Sequence, residues 1–488
     1  MPYEFINNNG TINPSARKQI RRHVATGKNA GKKLARPSRK KAFELSRKSA
    51  AAVIKTPEVV KKTHDSKPTE EVIYAVEQQI GDGLSILPVP DELVPGSRPL
   101  ERMAISFIGG LRHAPEMSNA LDTTSMSSSI WVQFMFSDEA YFHCMVALSV
   151  TVLDPIAIKP AGLLVAARHL SQTFRLINER LSGDNAASDT TIAVVVMLAE
   201  YERQLGHYNN CLVHIEGLQR MVELRGGISK LTSINPHLTK KIFRIDLEYA
   251  LHTGSPTRFS PQDIAFGSTG ILRFPRKHQR RSEQKGSIVY RSAKFKQLSA
   301  DLEDVFMDII YFAHLLNETS SRRLPKMDHC VFHENILFLG YRLIAISTLR
   351  GPNHPNNLED MIHLGLTTFV SAFFWSLDRS IPTIPLLTES IRSIVQRYAG
   401  DSQEERAVLL WLLFTLAASI SKQPDDEVWL VPKAAETMDA MDLHTWEDVH
   451  RTLSMFPWVN ATHNTAGQAL WQKSRVPLSL LRERLEIN

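Results

Sequence analysis

Cysteine is scarce: the 488 residues contain three, Cys144, Cys211 and Cys330, far apart and each in or beside an apolar stretch. That number excludes both a disulfide framework and a six-cysteine binuclear zinc cluster, and the thiols read as reduced core residues of an intracellular protein. Long hydrophobic runs are missing too. The longest, Ala407 to Ile420, falls short of the roughly 18 residues that suggest a membrane span and is bounded by Glu404, Glu405 and Arg406, so a buried core helix is expected. Met1 to Gly10 has asparagines where a signal peptide needs an apolar segment, which predicts no secretory address. There is no Gly-x-Ser-x-Gly, no Walker loop and no Rossmann glycine series, so the common nucleophile and nucleotide sites have no sequence basis. Aromatic residues are nearly absent near the N-terminus, with Phe43 alone between Phe5 and Tyr74. This argues against a dedicated single-strand binder that stacks bases.

What is present is segregated charge. Residues 1–68 hold 17 Lys and Arg against 4 Asp and Glu, a balance of +13; the remainder holds 40 against 47, a balance of −7. A basic tail on an ordinary folded body favours a polyanionic partner. The densest part is Arg17, Lys18, Arg21, Arg22, Lys32, Lys33, Arg36, Arg39, Lys40 and Lys41. Such clusters serve nuclear import or contact phosphate, and charge density alone also fits a solvated tail. Asn13-Pro14 is a helix-start pair and Gly27 a stop, which predicts a short basic amphipathic helix with Ile20 and Val24 on one face. From Lys28 to Lys67 large apolar residues are too few to offset the cost of chain ordering, and disorder is expected.

The rest reads as an all-α protein with an irregular multi-helix bundle. Three regions are expected: the basic arm, 1–68; an extended linker, 69–130, ending in the polar run Asp122 to Ser129; and a helical domain, 131–488. Helical spacing is clearest in Leu302, Val305, Phe306, Ile309, Ile310, Ala313 and Leu316. Similar stretches run over Phe134–Val152, Leu163–Ile177, Ile192–Leu205, Ile336–Leu349, Leu364–Leu377 and Val408–Ile420, without a fixed-period repeat. A second basic stretch, Gly267 to Lys296, reads as a long exposed loop.

Constellations that could carry chemistry have plainer readings. His329, Cys330 and His333 offer three ligands on one helix but no fourth, and read as a helix start with partly exposed histidines. Gly226-Gly227 follows the helical pattern His214, Leu218, Met221, Val222, Leu224 and reads as a helix cap, since no strand precedes it as a phosphate loop requires. Asp301, Glu303, Asp304 and Asp425-Asp426-Glu427 read as acidic first turns of helices rather than as paired catalytic carboxylates. No enzyme, no metal and no cofactor is expected.

Several phrases resemble the fungal-specific transcription factor domain family, in particular members with a short basic segment in place of the zinc cluster. They run in order: Phe5-Ile6 with Ile20-Arg21-Arg22-His23-Val24; Gly81 to Val89, GDGLSILPV; and Trp131 to Ser149. The most specific is His214 to Gly227, HIEGLQRMVELRGG, followed by Asp246-Leu247 and Arg258-Phe259; Trp446 to Val449 with Leu453, Phe456 and Trp458, and Leu470-Trp471, close the series. The resemblance implies an all-α, irregular multi-helix regulatory domain, a nuclear location and a role in transcriptional control, often of a metabolic or secondary-metabolite pathway. Partners would be other transcription regulators or a second copy in a homo-oligomer, with non-specific DNA contact by the arm and no membrane. An adaptor that pairs with a DNA-binding regulator and touches no DNA itself is the alternative. Arg220 and Arg225 of the glycine phrase read as structural.

Overall fold

In the computed structural model the residues described are 115–122, 130–153, 160–267, 295, 298–351, 357–374, 384–398, 400, 402–419 and 424–476, all in the unit 83–488. The most buried stretch is the apolar run flagged above. Helix α13 (Gln403–Ser419) buries Val408 through Phe414 without interruption, so apolar residues face inward all round, as expected of a central helix. Its acidic first turn, Glu404 and Glu405, sits at the positive end of the dipole.

Among the described residues there are sixteen α-helices, one 3-10 helix and two short strands. The first half comprises α1 (Ile130–Ser137), α2 (Glu139–Leu153), α3 (Pro160–Leu181), α4 (Asp189–Gln204), α5 (Tyr208–Leu224), α6 (Ile228–Ile234), α7 (Pro236–Thr253) and α8 (Pro261–Gly267). The second comprises α9 (Ala300–Ser320), α10 (His329–Ile346), α11 (Asn357–Ser371), α12 (Pro385–Arg397), α13, α14 (Pro424–Asp439), α15 (Trp446–Leu453) and α16 (Asn460–Ser474). The all-α expectation holds. The buried core also reaches back to Met117, Ala120 and Leu121. There β1 (Leu121–Asp122) pairs in parallel with β2 (Met327–Asp328), a contact across the chain that short polar-flanked segments do not announce.

Helix starts follow local chemistry. Ser188 Oγ accepts from the Thr191 amide ahead of α4, Asn235 Oδ1 from the Leu238 amide ahead of Pro236 and α7, and Asp328 Oδ1 from the Cys330 and Val331 amides ahead of α10. The expected apolar face of α9 is buried at Leu302, Val305, Phe306, Ile309, Ala313 and Leu316, with Asp301 and Glu303 in its first turn. One boundary differs: the segment read as Leu364–Leu377 is helical from Asn357 and ends at Ser371. The buried Glu359 carboxylate that holds the Ser299 amide lies in a first turn whose polarity hid the start.

The two halves meet through α7, which packs on α4, α5 and α6 on one side and on α10 and α12 on the other. In the second half, close approach depends on glycine. A Cβ on Gly365 of α11 would lie 2.3 Å from Cζ3 of Trp411, whose ring is pinned by its Nε1 donating to the Pro457 carbonyl (3.0 Å) and by stacking on Phe456.

Candidate functional site

The phrase HIEGLQRMVELRGG forms α5 and its exit. Gly226 and Gly227 have φ of +90° and +96°, and their amides donate back to Glu223 and Val222 carbonyls, each at 2.9 Å. This is a glycine cap at a position L side chains avoid, as read from the sequence, with no phosphate loop. Arg225 then closes the corner. Its Nη1 donates to the Ala187 carbonyl (2.9 Å) and to Asp189 Oδ1 (2.6 Å), while Asn235 Nδ2 donates to Asp189 Oδ2 (2.9 Å). One guanidinium and one carboxylate thus tie the start of α4, the end of α5 and the start of α7. Arg220, by contrast, meets the exposed Glu223 among the described residues.

The second phrase, Asp246-Leu247 with Arg258-Phe259, makes a knot on the far side of α7. Buried Asp246 accepts from the Arg258 amide (2.9 Å), the Phe259 amide and the Tyr341 hydroxyl (2.8 Å), and Arg258 Nη1 stands 3.5 Å away. Burial pushes this carboxyl up from its ordinary range, against the lowering by its donors. Gly254, at φ +70°, caps α7 and turns the chain back so that Arg258 can reach. Both phrases are therefore structural pins.

Between these pins lies a group of charges that patterning did not reveal. On α4, Arg203 is 4% exposed and its Nη2 lies 2.6 Å from Glu200 Oε1 and 2.9 Å from Glu248 Oε2 of α7. Arg244 gives its Nε to Glu248 Oε1 (2.8 Å) and its Nη2 to the Phe374 carbonyl (2.7 Å). Burial works against ionising Glu200, yet Arg203 pulls its carboxyl down to about 2. Lys241, one turn before Arg244, is set differently. Its Nζ lies 5.6 Å from the ring centroid of Trp131 on α1, and burial followed by Arg244 lowers its pKa to about 8 despite Glu200 and Glu248. In sequence Glu200, Arg203, Arg244 and Glu248 look like ordinary solvated helix pairs at three- and four-residue spacing. Only the apolar density of α4, Ile192 to Ala199, hinted that such charges would be enclosed.

The arm residues Arg17, Lys18, Arg21, Arg22, Lys32, Lys33, Arg36, Arg39, Lys40 and Lys41, the short helix expected there and residues 69–114 of the expected linker lie outside the described residues, as does most of the Gly267 to Lys296 stretch. His329 and His333 start α10 as read, but His329 is buried rather than partly exposed. Their Nε2 atoms are 2.9 Å apart and hydrogen-bond to one another. Among the described residues no group of three or more His, Cys, Asp or Glu could hold a metal ion. Cys144 and Cys211 are buried; burial raises both thiols, that of Cys211 to about 12, which makes them poor nucleophiles. Also among the described residues, no helix is long and apolar enough to cross a membrane.

Residues 112–265, from just before the first described turn into α8, match the family model described as the fungal specific transcription factor domain. The match spans the Arg225 clamp, the Asp246 knot and the charge group, so over these residues the chain is similar to that domain. No curated protein and no solved structure shows a significant match.

Proposed function

We propose that this chain, which is similar over residues 112–265 to the fungal specific transcription factor domain, is a nuclear regulator of a metabolic or secondary-metabolite pathway. Its helical body takes a partner regulator or a small effector. The basic segment 1–68 serves nuclear import or sequence-independent contact with DNA phosphates. The family match is the observation that carries this reading. The +13 balance of residues 1–68 supports the second part, because neutralising phosphates with Lys and Arg releases counterions and gives affinity without sequence readout.

A second reading, an adaptor that reaches promoters through a DNA-binding partner, is favoured by the cysteine inventory. Three cysteines, two of them buried, leave no six-cysteine zinc cluster to read a site. Chromatin profiling of the tagged protein with and without residues 1–68 separates the two. Occupancy lost with the segment and retention on DNA that falls steeply with salt support phosphate contact; occupancy independent of the segment supports recruitment. A fluorescent fusion that stays in the cytoplasm, with transcripts unchanged on deletion of the gene, would defeat both.

A further inference from the structure

The charge group at the α4–α7 contact does not balance. Three cations, Arg203, Lys241 and Arg244, face two carboxylates, Glu200 and Glu248. Both carboxylates are taken up by the two guanidiniums, and Arg244 also holds a backbone carbonyl. Lys241 is left as a half-buried ammonium whose described contact is the face of Trp131. An indole face contributes about 0.5 to 2 kcal/mol to a cation and accepts none of its three N–H bonds well. An ammonium drawn from water beside two guanidiniums either gives up its proton or is stabilised by an anion that accepts hydrogen bonds.

We propose that Lys241 and Trp131 form a binding site for a small organic carboxylate, its carboxylate on the Lys241 ammonium and its apolar part along the indole. An organic acid fits better than an inorganic ion because the two side chains offer complementary surfaces, one charged and one aromatic, both partly open to solvent. The site lies in the matched domain, but its occupation is a property of the purified protein and stands or falls separately from any role in transcription.

The test uses the intact chain and benzoate as the probe. At pH 7 an amine titrating near 8 is about one-tenth neutral, against about one part in three thousand for an ordinary lysine. Lys241 should therefore react unusually fast with an amine-directed acylating reagent, read residue by residue by mass spectrometry. Benzoate at tens of millimolar and constant ionic strength should slow acylation of Lys241 by about five-fold or more, as the bound carboxylate restores the ammonium, with other lysines changed by less than about two-fold. Trp131→Ala should weaken the protection while leaving Lys241 reactive. Unchanged Lys241 labelling in benzoate overturns the proposal. So does equal protection by inorganic phosphate or chloride, which would mark a general anion effect, and so does benzoate protection that survives in Trp131→Ala.

Discussion

Replacing Asp246 by alanine removes the acceptor on which the α7 to α8 connection closes. The buried carboxylate receives two backbone amides and the Tyr341 hydroxyl and stands 3.5 Å from Arg258. Tyr341 keeps a second acceptor in the Phe243 carbonyl at 3.1 Å, but the amides of Arg258 and Phe259 lose theirs. Stranding a buried donor costs about 1–3 kcal/mol, and breaking a buried charge pair from one side about 3–5 kcal/mol. Asp246→Ala should therefore cost roughly 3–5 kcal/mol, a drop of about 4–6 °C in melting temperature for a body of this size. Tyr341→Phe alone should cost about 1–2 kcal/mol. Once Asp246 is gone the tyrosine hydroxyl has lost its stronger partner, so the double variant should fall short of the sum by about 1 kcal/mol. Thermal and urea unfolding of the full chain, followed by tryptophan fluorescence, measure all three. A cost below about 1 kcal/mol for Asp246→Ala, or additivity within about 0.3 kcal/mol, would refute the knot as a structural pin.

Three further outcomes follow from the packing and the titrating groups. Gly365→Ala should lower the unfolding free energy sharply, by about 3 kcal/mol or more, because Trp411 is hydrogen-bonded and stacked and cannot yield. Gly217→Ala, with no atom within 4 Å of the new Cβ, should raise it by up to about 1 kcal/mol; calorimetry giving the same sign for both would contradict the geometry. Arg225→Ala should cost about 1–2 kcal/mol in a urea titration and Arg220→Ala only a few tenths, since the first bridges helix ends and the second meets an exposed partner. Burial lowers His252 and His463 from an ordinary value near 6.5 to about 4. The unfolded chain then binds more protons than the folded one between those values. Their contribution is complete above pH 6.5 and is lost as pH falls towards 4, at up to about 1.4 kcal/mol per pH unit for each histidine. Unfolding free energies that stay level from pH 6.5 to 4.5 would show that neither ring is held neutral.

Helix positions were legible where apolar residues recur at three- and four-residue steps, as in α9, or run unbroken, as in α13. The glycine cap after Leu224 was legible because positive φ selects residue type locally. Arg203, Lys241, Arg244 and Glu248 were not, since enclosure of a charge depends on which helix faces it, and spacing within one helix carries no record of the other. The start of α11 was missed for a related reason: Glu359 looks like a solvated first-turn acid but binds an amide sixty residues earlier. The β1–β2 pair joins segments some two hundred residues apart, each too short to show a strand period.

Helix α7 holds Lys241 towards Trp131 in the first half and, one turn later, Arg244 on the carbonyl of Phe374 in the second. Two turns separate that first contact from Tyr249, which lies under Arg258. Neighbouring turns of one helix thus face a tryptophan of the first half and hold the chain that leaves α11 in the second, so the spacing between those two partners is fixed by the rise of a single helical turn.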